Sequence, residues 1–124
     1  YSLDNKHNKI SEKYIQAEIY LTSKDKKNSK NIYEIIILSK NKFYSPLALN
    51  KILENDLEKN NQKILQYFDI VESIRLEKEK KNLVKLKKSI FLFKILKKDE
   101  GKKLLQEIIS DDSIWSATAI ELLK

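Results

Sequence analysis

The sequence predicts an all-α chain of about seven antiparallel helices, three helical hairpins followed by a closing helix, and three observations carry that reading. One Gly (Gly101) and one Pro (Pro46) in 124 residues leave out the residues that tight turns between strands most often need, while helices lose nothing. Apolar residues recur at i, i+3, i+4 and i+7 through most of the chain. The chain also echoes itself without a gap: Tyr44 matches Trp115, Ser45 matches Ser116, Ala48 matches Ala119 and Leu49 matches Ile120, each pair 71 residues apart. That spacing is close to two periods of a helix-turn-helix repeat of about 34 residues. Tyr44 and Trp115 should then hold equivalent places at helix starts.

Residues 1–6 lack periodicity and are read as a frayed lead-in that takes in His7. The first helix is expected over about 8–24, with Ile10, Tyr14, Ala17 and Leu21 on one stripe and Ile15 and Ile19 widening it. A second runs from Ser29 to about Ser39. Its Tyr33-Glu34-Ile35-Ile36-Ile37-Leu38 has the β-branched content of a strand, but no partner strand exists, so it reads as a helix buried on two sides. Ser45-Pro46 suits a helix start, Ser as cap and Pro in the first turn, and the third helix continues through Leu49, Ile52 and Leu53 to about Leu57. A polar break at 58–61 precedes a fourth, with Ile64, Tyr67, Phe68, Val71 and Ile74 in register. The fifth carries Leu83, Leu86, Ile90 and Phe93, with a second apolar face from Phe91, Ile95 and Leu96. Residues 97–101 read as a break, the sixth helix holds Leu104, Leu105, Ile108 and Ile109, and Asp111-Asp112-Ser113 offer caps to the closing helix at 113–123. Short connections make hairpins of 8–39, 44–77 and 82–109.

At 124 residues and 14.7 kDa the chain is expected to be one domain, 1–124, long enough to bury a core without disulfides or metal. Zero Cys fits a reducing cytosol and a periplasm equally. No apolar run reaches the roughly 18 residues of a membrane span. Because the chain starts at Tyr1 and not Met, a tag, signal or anchor removed upstream is expected.

Catalytic chemistry has little to work with. His7 is the only His, so no familiar zinc, haem or Ser-His-Asp site can be assembled around it, and a Gly-rich phosphate loop cannot be built from one Gly. Asp111 and Asp112 read as caps and not as an acid/base pair. No catalytic residue, cofactor or metal is expected.

The net charge is +7 with a pI near 9.4. Residues 75–103 hold one Arg and eleven Lys against four carboxylates, a local +8. Such a span could bind nucleic acid or anionic lipid through counterion release. Arg75 is the only Arg and no reading motif is present, which favours a solvated face. Tyr14, Tyr20, Tyr33, Tyr44, Tyr67 and Trp115 could line a peptide groove, because helical repeats stack into a concave surface. Tyr67 and Trp115 are expected in the core. Tyr20 and Tyr44, near helix ends, and Lys85 and Lys88 in the basic span are the partner-binding candidates.

The final third, from Ile90-Phe91-Leu92-Phe93-Lys94 through Asp99-Glu100-Gly101-Lys102-Lys103-Leu104-Leu105 to Ser113-Ile114-Trp115-Ser116-Ala117-Thr118-Ala119-Ile120-Glu121-Leu122-Leu123, resembles bacterial tetratricopeptide-like proteins similar to the membrane-anchored ancillary subunit of the SecYEG translocon. Phe43-Tyr44-Ser45-Pro46-Leu47-Ala48-Leu49 looks like the opening of an earlier repeat in that family, so the resemblance spans roughly residues 8–123. It departs from the pattern in lacking the Trp, Leu-Gly and Tyr signature in every repeat. The resemblance implies an α-α superhelix, tethered by one N-terminal helix at the periplasmic face of the inner membrane. There it would contact translocon components, a periplasmic chaperone or prolyl isomerase, or client chains. The competing expectation is a cytoplasmic, Lys-rich binder of nucleic acid or anionic membrane.

Overall fold

The computed structural model describes residues 2–124, apart from the side chains of 2–4 and 7, and its regular structure is entirely helical. The helices are α1 (Ser2–Thr22), α2 (Lys26–Leu38), α3 (Tyr44–Glu54), α4 (Asn61–Glu72), α5 (Lys78–Lys94), α6 (Lys98–Ser110) and α7 (Ser116–Leu123). They fall into two compact units, Tyr1–Ile74 and Arg75–Lys124. In the first, α1 packs along α2 and α2 along α3, while α4 meets α2 and α3 over short stretches; in the second, α5 packs along α6 and α6 along α7. Residues 32–38 take the helical alternative. No helix among the described residues is long and apolar enough to cross a membrane.

Several boundaries differ from the sequence reading, each for a local reason. Helix α1 already begins at Ser2, so residues 2–6 are not a lead-in; Tyr1 and the His7 side chain lie outside the described residues. Helix α2 starts at Lys26 because the Asp25 carboxylate, and not Ser29, accepts the Asn28 N–H. It packs along both α1 and α3, so it is buried on two sides, and its outer side is open at Ile35 and Leu38. Ser45 is inside α3 and no cap: its hydroxyl donates to the Ile36 carbonyl at 2.9 Å, tying α3 to α2. Gly101 does not break the chain but lies buried in the first turns of α6.

Three helices end in the same way. The Asp25, Leu57 and Lys97 N–H groups reach back to the Tyr20, Ile52 and Leu92 carbonyls at 2.9, 3.0 and 2.8 Å. Just before each lies a residue with positive φ, namely Lys24 (64°), Asp56 (53°) and Leu96 (65°). This is the Schellman termination, normally given to Gly because a Cβ is strained in the left-handed region. Here side-chain-bearing residues fill the position, which is why the turns left no glycine signal.

The second unit repeats the first three helices of the first. Lys24 and Leu96, and the left-handed Lys40 and Asp112, are pairs 72 residues apart. At that spacing Tyr33 matches Leu105 and Ile36 matches Ile108, all fully buried. The helix crossings match as well. The Ser29 hydroxyl donates to the Ala17 carbonyl at 3.1 Å, and in the equivalent pair a Cβ on Gly101 would stand 3.2 Å from the Ser89 carbonyl oxygen and 3.3 Å from the Phe93 ring. Small residues thus let α1 approach α2, and α5 approach α6, nearly backbone to backbone.

After the second hairpin the register shortens by one residue. In the first unit the Asn41 side-chain oxygen accepts the Phe43 and Tyr44 N–H groups at 3.0 and 2.9 Å; in the second, the Ser113 hydroxyl accepts the Trp115 N–H at 3.0 Å. From there the spacing is 71. Ser116 donates to the Ile108 carbonyl at 3.5 Å, the counterpart of Ser45 on Ile36, and Ala48 and Ala119 are both fully buried. Tyr44 and Trp115 do hold equivalent places at helix starts.

These crossings and turns make opposite demands on glycine. Leu96, 89% exposed and left-handed, is strained by about 1–2 kcal/mol; after the entropy glycine adds to the unfolded chain, Leu96→Gly is expected to stabilise by about 0.5–1 kcal/mol. Lys102→Gly, in the exposed interior of α6, should destabilise by about 1 kcal/mol. Gly101→Val, driven against Ser89 and Phe93, should destabilise by about 1–3 kcal/mol. Urea unfolding of the three variants checks the signs.

Candidate functional site

On the first unit α1 and α3 together present an aromatic and charged face. Tyr14 packs on Tyr44 with ring centroids 5.3 Å apart and edge-on to Tyr33 at 5.8 Å, and Phe43 meets Tyr44 edge-on at 4.8 Å. One turn beyond Tyr14, Glu18 pairs with Lys51 of α3 at 3.6 Å. Partial burial, then the charges of Glu18 and Glu54 and the neighbouring Tyr44, raise the Tyr14 hydroxyl above its ordinary value. Beneath it, Tyr33 is fully buried, its hydroxyl near the Ser29 hydroxyl, which itself donates to the Ala17 carbonyl. Burial, with Tyr14 and Glu18 added, pushes the Tyr33 hydroxyl up to about 12.

At the matching positions of the second unit Leu86 replaces Tyr14, Ile90 replaces Glu18, Trp115 replaces Tyr44 and Leu122 replaces Lys51. Leu86 joins Leu105, Ile108 and Ala119 in a buried cluster on which Trp115 packs half-covered. Ile90 and Leu122 are exposed. The ion pair of one face is therefore a pair of exposed apolar side chains on the other.

A polar network fastens α4 to α2. The Tyr67 hydroxyl, on a nearly buried ring, donates to Glu34 in a very short hydrogen bond and lies 3.5 Å from Glu58. Lys63 pairs with Glu34 at 3.0 Å, Lys30 pairs with Glu58 at 3.3 Å, and the Asn60 N–H donates to Glu58 at 3.0 Å. The Tyr67 hydrogen bond, outweighing burial and helped by Lys63, holds the Glu34 carboxyl below its ordinary range. Burial opposes charge on Glu58, yet the Asn60 N–H and Lys30 outweigh it and lower that carboxyl too. Burial and the two carboxylates raise the Tyr67 hydroxyl. A general acid at neutral pH needs a raised carboxyl; these are stabilised anions, and their visible work is to join helices.

The second unit has its own fastening. Glu79 of α5 accepts the Ser113 hydroxyl at 2.6 Å and the Ile114 N–H at 3.2 Å, and the Ser113 bond is the main reason its carboxyl is lowered. Asn82 donates to Asp111 at 2.9 Å and Lys85 pairs with Glu107 at 3.0 Å. These groups line an open cleft of about 510 Å³ between α5 and α6, with Lys81 and Lys103 also on its walls.

Of the four candidates, Tyr20 and Tyr44 lie in the first unit, and Lys85 and Lys88 share α5 in the second. Tyr44 is in the aromatic face of the first unit, and Tyr20 is half-buried near the end of α1, where its carbonyl takes part in the turn. Lys85 and Lys88 are both half-buried on α5, Lys85 in the cleft and paired with Glu107. Tyr67 is core, as expected, whereas Trp115 is only half-covered. Tyr14 is among the tyrosines that the sequence offers for a groove, but Glu18 and Lys51 carry no sequence signal that joins them to it; the available signal is the repeat, which aligns Tyr14 with Leu86 and Glu18 with Ile90. No family model, curated protein or solved structure matches the chain. The resemblance to tetratricopeptide-like translocon subunits thus rests on the residues quoted for it.

The lowered carboxyls set the acid response. Glu34, Glu58 and Glu79 sit below the ordinary 4.5 when folded, so their contribution is complete above that value and fades as pH falls below it. Thermal melts should show a steep loss of stability below about pH 4.5 that is shallower in Glu34→Gln. At neutral pH Tyr67→Phe should cost about 1–2 kcal/mol by urea unfolding.

Proposed function

We propose that the chain is a tetratricopeptide-like protein-interaction module that holds an extended segment of a partner on the α1/α3 face. The observation that carries this reading is the repeated three-helix motif. Helical hairpins at a near-constant spacing, crossing at small residues, form the kind of array that leaves the first helix of each hairpin available to a ligand. In the first unit those helices offer what peptide recognition uses, aromatic rings with a charged pair beside them. Rigid Tyr and Phe rings give contact area with little loss of side-chain freedom. No chemistry is assigned to the face; its mechanism is binding.

The resemblance adds the setting to this proposal: a module tethered at the periplasmic face of a bacterial inner membrane, whose partners are translocon components, a chaperone or prolyl isomerase, or emerging client chains. The Lys-rich second unit favours one rival, binding of nucleic acid or anionic lipid by charge alone.

Panning a random-peptide library against the chain should enrich aromatic-containing peptides. Tyr44→Ala should weaken the best of them about tenfold, roughly 1.4 kcal/mol, while circular dichroism shows the fold retained. Peptides bound equally well by Tyr44→Ala would sink the reading. So would an affinity for duplex DNA or anionic vesicles that collapses between low and physiological salt with no peptide binding at all.

A further inference from the structure

We propose that the cleft between the N-terminal half of α1 and the α2–α3 turn binds an acidic segment of a partner protein, an inference that rests on the protein-interaction reading and names the partner's chemistry. The cleft is open and measures about 440 Å³. Lys6, Lys9 and Lys13 line it from α1, and Lys40 and Asn41 from the turn. Half-buried Ile10 and the methylenes of the lysines give it an apolar surface beneath the ammonium groups. Among the described residues no carboxylate lines it, and none of the four lysines takes part in an ion pair. Glu12 lies beyond Lys9 and Lys13, on the surface of α1 that carries Ile15 and Ile19.

The equivalent cleft of the second unit shows what such lysines hold. At the repeat spacing Lys9, Ile10, Lys13 and Ser39 become Lys81, Asn82, Lys85 and Asp111, all of which line the cleft between α5 and α6. The turns beside the two clefts share one backbone: Lys40 and Asp112 are left-handed at 56° and 50°, and their N–H groups donate to the Ile37 and Ile109 carbonyls at 3.1 Å. Charge is what differs. In the second unit Lys85 pairs with Glu107 at 3.0 Å and Asn82 donates to Asp111 at 2.9 Å. In the first, Ile35 stands for Glu107, Ser39 for Asp111 and Lys40 for Asp112. The lysines recur, and the carboxylates that answer them do not.

The second unit therefore describes the ligand. A partner segment with Glu or Asp at alternate positions, which an extended chain places on one side, supplies from outside what Glu107 and Asp111 supply from within, and an apolar residue between them can rest on Ile10. Opposite charge of this kind speeds encounter and fixes register. The cleft also adjoins the aromatic face: Ile10 lies one turn before Tyr14 on α1, and the Asn41 side chain accepts the Phe43 and Tyr44 N–H groups. The favoured segment thus carries an aromatic residue and, a few positions away, acidic ones.

The test titrates a labelled synthetic peptide, Phe-Ala-Ala-Glu-Leu-Glu-Ala-Glu, against the whole chain at physiological salt. Saturable binding is expected, at least tenfold weaker when Gln replaces every Glu of the peptide. Lys9→Gln combined with Lys13→Gln should weaken it at least tenfold, whereas Lys26→Gln combined with Lys27→Gln, which removes the same charge from exposed positions on α2, should leave it unchanged. Ile35→Glu combined with Ser39→Asp, which installs the carboxylates of the second unit, should weaken it as the loss of the lysines does. Absence of binding, or binding that the Lys9 and Lys13 changes leave intact, overturns the proposal. So does lysine-dependent binding of phosphatidylserine vesicles or duplex DNA with no affinity for the peptide. Tyr44→Ala separates the two readings. Lysine-dependent binding that survives it supports the cleft and counts against the aromatic face, while equal, Tyr44-dependent binding of the Glu and Gln peptides overturns the cleft alone.

Discussion

The close approach of paired helices at small residues is the constraint on which the rest of the molecule depends. Ser29 over Ala17 and Gly101 over Ser89 bring backbone to within a side chain's reach of backbone. Once the axes are that near, larger residues on either side of each crossing are forced together: Tyr33 and Ile36 in one unit, Leu105 and Ile108 in the other, all without solvent exposure. Hydrophobic burial supplies most of the energy, but the crossing decides which side chains receive it. The third helix then packs along the second through a buried alanine, Ala48 or Ala119, with a hydroxyl, Ser45 or Ser116, reaching for a carbonyl on the helix before it.

Polar groups perform a second task in the first unit. Helix α4 buries Ile64, Phe68 and Val71 but meets α2 and α3 only over short stretches. The network of Lys30, Glu34, Glu58, Lys63 and Tyr67 adds direction to that burial. Its members are mutually satisfied, and a charge left behind after loss of one partner would be costly. In the second unit Glu79 does comparable work on the connector before α7.

Much of the architecture was legible because helical periodicity and the 71-residue echo are written in residue type. The echo was sound but incomplete: the true spacing is 72 through the hairpin, and one residue is lost in the connector before α7, where Ser113 does with one hydroxyl what Asn41 does with a side-chain amide oxygen. Gly101 misled, since glycine ordinarily punctuates helices, and nothing local distinguishes a glycine that ends a helix from one demanded by a neighbour. The turns were hidden for the reverse reason, with Lys, Asp and Leu standing where glycine would have announced them. Glu58 read as part of a polar break, because its partners Lys30 and Tyr67 come from distant helices and pair only once the chain has folded.

The replacement of the Glu18–Lys51 pair by Ile90 and Leu122 has a consequence for how the two units respond to their surroundings. A partly exposed ion pair is weakened by dissolved salt, which screens it. Exposed apolar side chains respond in the other direction, since sulfate and phosphate strengthen the drive to cover them. Equivalent places in the two units therefore answer salt differently: added salt weakens the Glu18–Lys51 pair, while sulfate or phosphate strengthens the drive to cover Ile90 and Leu122.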